Sequence, residues 1–152
     1  GMSDRARARG LVERLAEENI AVATVGTPSR PVPSALELRE AGVTLCAGSD
    51  GIRDTWSPYG NGDMLERAML LGLRNNFRTD PEIEYALWAC TYGGAKAMAV
   101  ENYGLAEGCA ADVVLVEAET VAHAVVDRPR RRLVVKGGCV VVRDGEPLSV
   151  VP

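Results

Sequence analysis

Apolar positions along the chain change their spacing several times, and each change marks an element. Over residues 4–18 they fall at Ala8, Leu11, Val12, Leu15 and Ala16, one face of a helix, while Arg9, Glu13 and Glu17 turn to water. Ser3 or Asp4 is placed to cap this helix and Asn19 to stop it. Residues 20–25 (IAVATV) alternate too little for a one-faced strand and predict a strand covered on both sides, as in parallel sheets. The proline-rich residues 27–33 predict a loop. Ser34 and Glu37 have capping-box spacing for a short helix over 35–41, closed by Gly42, and 43–47 predict a second buried strand. Strand, helix and strand in this order form one β-α-β unit, whose right-handed crossover makes the two strands parallel neighbours.

Two longer helices are expected over 63–75 and 81–92, the second announced by Asp80 as N-cap and Pro81 at the first helical position; 93–100 predict a short third. After Gly104 the texture changes. Residues 112–116, 133–135 and 140–143 are short β-branched runs, with turn pairs at Gly137-Gly138 and Asp144-Gly145, and 117–126 are helix-like. This is a small β module. No internal repeat is visible.

At 152 residues, 47% of them hydrophobic, the chain suits one domain, or a small domain plus part of another. A net charge of −4 argues against a general polyanion binder. The basic run Arg128-Pro129-Arg130-Arg131-Arg132 has no interleaved aromatics and leads straight into a strand, so its charges read as guards of a sheet edge, and no nucleic-acid partner is expected. Cys46, Cys90, Cys109 and Cys139 stand singly, as expected of reduced thiols in a cytoplasmic protein. No stretch approaches the roughly 20 apolar residues that a membrane helix needs, so no membrane partner is expected. Met64, Met69 and Met98 read as helix core.

Asp50 carries the candidate chemistry. It follows the C-terminal end of a buried parallel strand, the edge where α/β sheets and barrels place ligands and catalytic groups. Ser49, Asp50 and Gly51 are also ordinary turn formers, so position alone leaves a plain strand-to-loop reading open. His123, the single histidine, falls in the helix-like insert of the β module and reads as a helix or surface residue.

Three blocks add a resemblance. Asp54-Thr-Trp56-Ser-Pro58-Tyr-Gly60, continued by Met64-Leu65, resembles the stretch after the last barrel strand of cytosine deaminases in the metal-dependent amidohydrolase superfamily. Asn102-Tyr103-Gly104-Leu105-x-x-Gly108 with Ala111-Asp112-Val113-Val114-Leu115 resembles the chain's return into that family's small β-sandwich, and Val135-Lys-Gly137-Gly138-x-Val140 resembles its closing hairpin. The resemblance implies an α/β fold: the C-terminal fragment of a (β/α)8 TIM-type barrel over 3–103, joined over 104–152 to part of a small β-sandwich.

It also implies a truncated enzyme. The family's activity is metal-dependent hydrolytic deamination of a cyclic amidine, aminopyrimidine or triazine, a small-molecule substrate. Asp50 matches the last-strand aspartate that contacts the metal and shuttles protons. Zinc or iron is implied as cofactor, and none is expected on this chain alone, because the family's other ligands are histidines on earlier strands. Cytosine deaminases usually carry a second acidic residue where this chain has Gly51, which argues against cytosine itself; another cyclic amidine or ring-linked amine, such as isocytosine or an alkylamino-triazine, fits the branch equally well. Trp56 is either a wall of the substrate pocket or a packing anchor. The partner expected is a second copy, in a homo-oligomer, or the missing N-terminal half. The alternative from another class is a non-catalytic binding or assembly module.

Overall fold

The computed structural model describes residues 4–27 and 33–149. Most of the proline-rich loop, and Ser3 as a cap, lie outside these residues. The elements run α1 (Asp4–Glu17), β1 (Val22–Thr24), α2 (Ala35–Glu40), β2 (Leu45–Ala47), α3 (Met64–Arg74), α4 (Asp80–Cys90), α5 (Tyr92–Ala97), β3 (Val113–Val116), α6 (Val121–Asp127), β4 (Arg131–Lys136), β5 (Cys139–Arg143) and β6 (Glu146–Pro147).

β1 and β2 pair in parallel, Val22 opposite Leu45 and Thr24 opposite Ala47, with α2 in the crossover. Local signals set these boundaries. Ser34 accepts from the Glu37 N–H at 3.1 Å while the Glu37 carboxylate accepts from the Ser34 N–H at 2.8 Å. Gly42, at φ 80°, closes α2 by donating to Arg39, and Val43 donates back to Leu38, a Schellman motif that turns the chain into β2. Asn19, at φ 52°, ends α1 through the same pair of bonds, to Ala16 from Asn19 and to Leu15 from Ile20.

The core lies where α3, α4 and α5 cover this pair. Leu45, Leu71 and Val125 are 2%, 1% and 1% exposed, and burial of each contributes roughly 1.5–3 kcal/mol. α3 begins at Asp63, whose carboxylate accepts from the Leu65 and Glu66 N–H groups and from Arg131 of β4. α6 sets Val125 into the same core, packing against α3 and α4, so apolar contact is continuous from the parallel pair to the β module. That module is a four-stranded antiparallel sheet in the order β3-β4-β5-β6.

Several expectations need correction. Thr79, not Asp80, is the N-cap of α4, because the Glu82 carboxylate reaches back to the Arg78 and Thr79 N–H groups and fixes the start one residue earlier. β1 is not covered on both faces: Ala23 is exposed and Ile20 is half exposed. On α1 only Val12, Leu15 and Ala16 pack on the core, and Leu11 is 55% exposed. Met98 is exposed, since it caps the C-terminus of the short α5. The arginine run enters an interior strand, not an edge, and three of its members meet carboxylates: Arg130 with Glu146, Arg131 with Asp63 and Arg132 with Asp144. β6 adds to the expected strands: Glu146-Pro147 carries no strand signal and is held by pairing with β5.

The accessible surface is 10603 Å² for 16.2 kDa, against about 7,500 Å² for a compact monomer of that mass. Exposed Ala23 on β1, and Val114 and Leu115 on β3, are part of this surface. Among the described residues no helix is long and apolar enough to cross a membrane.

Gly93 marks the tightest approach of α5 to the sheet: a Cβ there would lie 2.3 Å from the Leu45 carbonyl oxygen and 3.0 Å from the Trp88 ring. Gly93→Ala should therefore cost about 1–3 kcal/mol, read from the denaturant midpoint; an unchanged midpoint would show that α5 has room to shift.

Candidate functional site

The parallel pairing brings two chain exits to one edge. The Gly48 N–H bonds to the Thr24 carbonyl at 3.1 Å, one rung past β2, and the chain then turns through Ser49 and Asp50. Asp50 takes φ 57°, a left-handed conformation that aspartate tolerates better than most side chains. Asp50 is exposed and lines a cavity of about 420 Å³ with Ala23, Thr24, Val25, Thr27, Gly48 and Arg74. Among the described residues nothing hydrogen-bonds to its carboxylate, so it is not spent on a turn. The Ser49 hydroxyl beside it is buried and likewise without a partner among them.

The loop after Asp50 is folded on itself. Asp54 accepts from the Trp56 N–H at 2.9 Å and from the Ser57 N–H at 2.8 Å, and Arg53 donates to the Tyr59 carbonyl at 3.1 Å. The two amide bonds, first Ser57 and then Trp56, hold the Asp54 carboxyl below its ordinary range. A Cβ on Gly51 would lie 2.1 Å from the Asp54 carboxylate, so a second acidic side chain at 51 would meet both its bulk and its charge. Trp56 itself is 92% exposed and is not among the residues lining the Asp50 cavity.

The remaining candidates are engaged elsewhere. His123, on α6, lies 3.1 Å from the Asp127 carboxylate through Nε2 and accepts from the Glu119 N–H at 3.2 Å through Nδ1. Burial pushes the Cys90 thiol up to about 12, against the opposing charge of Arg67. A second cavity of about 510 Å³ lies at the opposite end of β2, between Arg39, Thr44, Tyr85, Trp88 and Lys96. Parallel sheets bind ligands at the carboxyl ends of their strands, which favours the Asp50 cavity.

Metal fit is a question of ligand number. Among the described residues no three His, Cys, Asp or Glu side chains come together around a point, and Asp50 stands as one carboxylate where a hydrolytic zinc takes about three protein ligands. These residues alone do not fit a metal.

Two arginines escaped the sequence reading. Arg74 lines the Asp50 cavity, and Arg67, on the same helix, is 8% exposed. The available signal was their seven-residue spacing along the apolar face that holds Leu71.

Residues 6–142 match the Amidohydrolase family. N-isopropylammelide isopropyl amidohydrolase of Pseudomonas sp. (strain ADP) is 36% identical over 118 residues, which are 77% of this chain and 28% of that protein. The crystal structure of N-isopropylammelide isopropylaminohydrolase from Burkholderia multivorans is 51% identical with a TM-score of 0.91, over 97% of this chain and 37% of that one. That of 5-methylcytosine deaminase from Klebsiella pneumoniae liganded with 5-fluorocytosine is 26% identical with a TM-score of 0.82, over 98% and 39%. The chain thus spans little more than a third of the length of these relatives, or less.

The Asp54 turn makes a prediction in pH. Because its folded pKa is depressed, its contribution is complete above the ordinary aspartate value of about 3.9 and is lost as pH falls through the lower folded value. Amide protection factors at Trp56 and Ser57 should therefore fall in that window, and Asp54→Ala should remove the protection at every pH. Protection in the variant equal to that of the parent would contradict the turn.

Proposed function

Because the chain belongs to the amidohydrolase family, we propose that it is the C-terminal part of a metal-dependent hydrolase that removes an amino or alkylamino group from a triazine or similar cyclic amidine, with Asp50 as its acid–base group. The observation that carries this reading is the Asp50 carboxylate itself: exposed, unbonded among the described residues, at the carboxyl edge of the parallel pair and beside a cavity of about 420 Å³. An alkylamino-triazine is favoured over cytosine by the likeness to the two N-isopropylammelide hydrolases and by the collision that an acidic side chain at position 51 would suffer with Asp54.

The chemistry suits one carboxylate. Hydrolysis at a ring carbon needs a proton taken from the attacking water and returned to the departing amine nitrogen; a carboxylate within reach of both does each in turn. A metal, were further ligands to complete a site for it, would supply the acidity of that water. Asp50 would hold it in part, and the other ligands have to come from outside the described residues. In the same reading β1 and β2 are the last two strands of a (β/α)8 barrel, with the barrel portion ending near residue 103 and the antiparallel sheet forming part of a small β-sandwich.

A hybrid tests the role of Asp50. With this chain grafted in place of the matching part of the Burkholderia multivorans protein, isopropylamine release from N-isopropylammelide is expected. Asp50→Asn in the hybrid should lower kcat by about 10²–10⁴ with the fold kept. A folded hybrid that is inactive with Asp50 in place, or an Asn variant within a few-fold of it, would refute the assignment.

The surplus surface supports a second proposal: exposed Ala23 of β1 and exposed Val114 and Leu115 of β3 are covered by more polypeptide, either a second copy or the portion that the longer relatives carry. The purified chain should then scatter light as a dimer or larger at micromolar concentration. A clean monomer would count against self-association.

A further inference from the structure

Three residues of α3 meet three residues of the chain leaving β1. Arg67 donates through Nη1 to the Val25 carbonyl, and Arg74 donates through Nη1 to the Thr27 carbonyl. Between them Gly26, at φ 67°, passes so close to α3 that a Cβ would lie 3.5 Å from the Leu71 backbone. Positions 67, 71 and 74 are spaced i, i+4, i+7 and form one stripe of the helix.

The ladder explains why donors are needed there. The last rung between the strands joins Gly48 to Thr24. Beyond it no strand among the described residues bonds the Val25 or Thr27 carbonyl; that of Val25 is partly buried, where an unpaired acceptor is costly, while that of Thr27 is exposed. Arg67 meets this need at a cost of its own: it is 8% exposed, and its Nε finds no acceptor among the described residues. An apolar side chain of similar volume is often as stable in such a place, or more so. What the buried guanidinium adds is a fixed position for Val25.

That position bears on the site. Val25, Thr27 and Arg74 line the same cavity as Asp50. We infer that Arg67 and Arg74 are positioning residues for the Asp50 cleft: they peg the chain leaving β1 to α3 and so set the width of the cavity across from Asp50. The importance of that width rests on the substrate site proposed above, while the pegging does not.

Hydrogen exchange in the purified chain tests it, with Arg67→Met, Arg74→Met and Arg74→Lys beside the parent. Both Met variants should exchange residues 22–27 about tenfold faster or more, while α4 keeps its protection and the denaturant midpoint is unchanged or higher. Arg74→Lys, which keeps a charged donor, should restore most of the protection. In the hybrid enzyme Arg74→Met should raise KM several-fold and leave kcat within about twofold. Unchanged exchange at 22–27 would overturn the inference, and so would a rise spread evenly into α4 with a falling midpoint. A hybrid inactive even with both arginines would count against the substrate reading alone, and the exchange result would still decide the pegging.

Discussion

The parallel pairing of β1 with β2 is the constraint from which the rest follows. Two parallel neighbours need a crossover, α2 supplies it, and both strands then point their carboxyl ends to one side. The register of Val22 with Leu45 places the end of β1 beside Gly48, Ser49 and Asp50. A pair running in opposite directions would put Asp50 and the chain leaving β1 at opposite ends of the strands. The left-handed turn at Asp50 is a local consequence, as the chain must leave the sheet without another strand to guide it.

α3 converts that pair into a defined edge. One stripe of the helix packs Leu65 and Ala68 into the core, and a neighbouring stripe with Leu71 carries Arg67 and Arg74 to the carbonyls past β1. Its N-terminus is held by Asp63, which also takes Arg131 from β4. The helix therefore touches the sheet, the site and the β module at once. α6 strengthens the tie by burying Val125 between α3 and α4.

Much of this was legible in the residues. The Ser34 to Glu37 box, the stops at Asn19 and Gly42 and the Gly137-Gly138 turn act over a few positions, so local chemistry decides them. Errors arose where distant contacts decide. The true cap of α4 depends on how far the Glu82 side chain reaches, the exposure of Ala23 on what lies above the sheet, and β6 on a partner strand. At the site, the place of Asp50 was readable because a strand end can be read from periodicity. Arg67 and Arg74 were not, since their spacing along the apolar face of α3 does not tell that the chain leaving β1 returns to them.

Chemical-shift mapping of the ¹⁵N-labelled chain with the triazine ring ammelide at millimolar concentration measures most directly whether the carboxyl edge of this pair is a binding edge. Shifts confined to Val25–Thr27 and Gly48–Asp50 are the expected result. Shifts confined to the cavity between Arg39, Tyr85 and Trp88, or none at all, would contradict it.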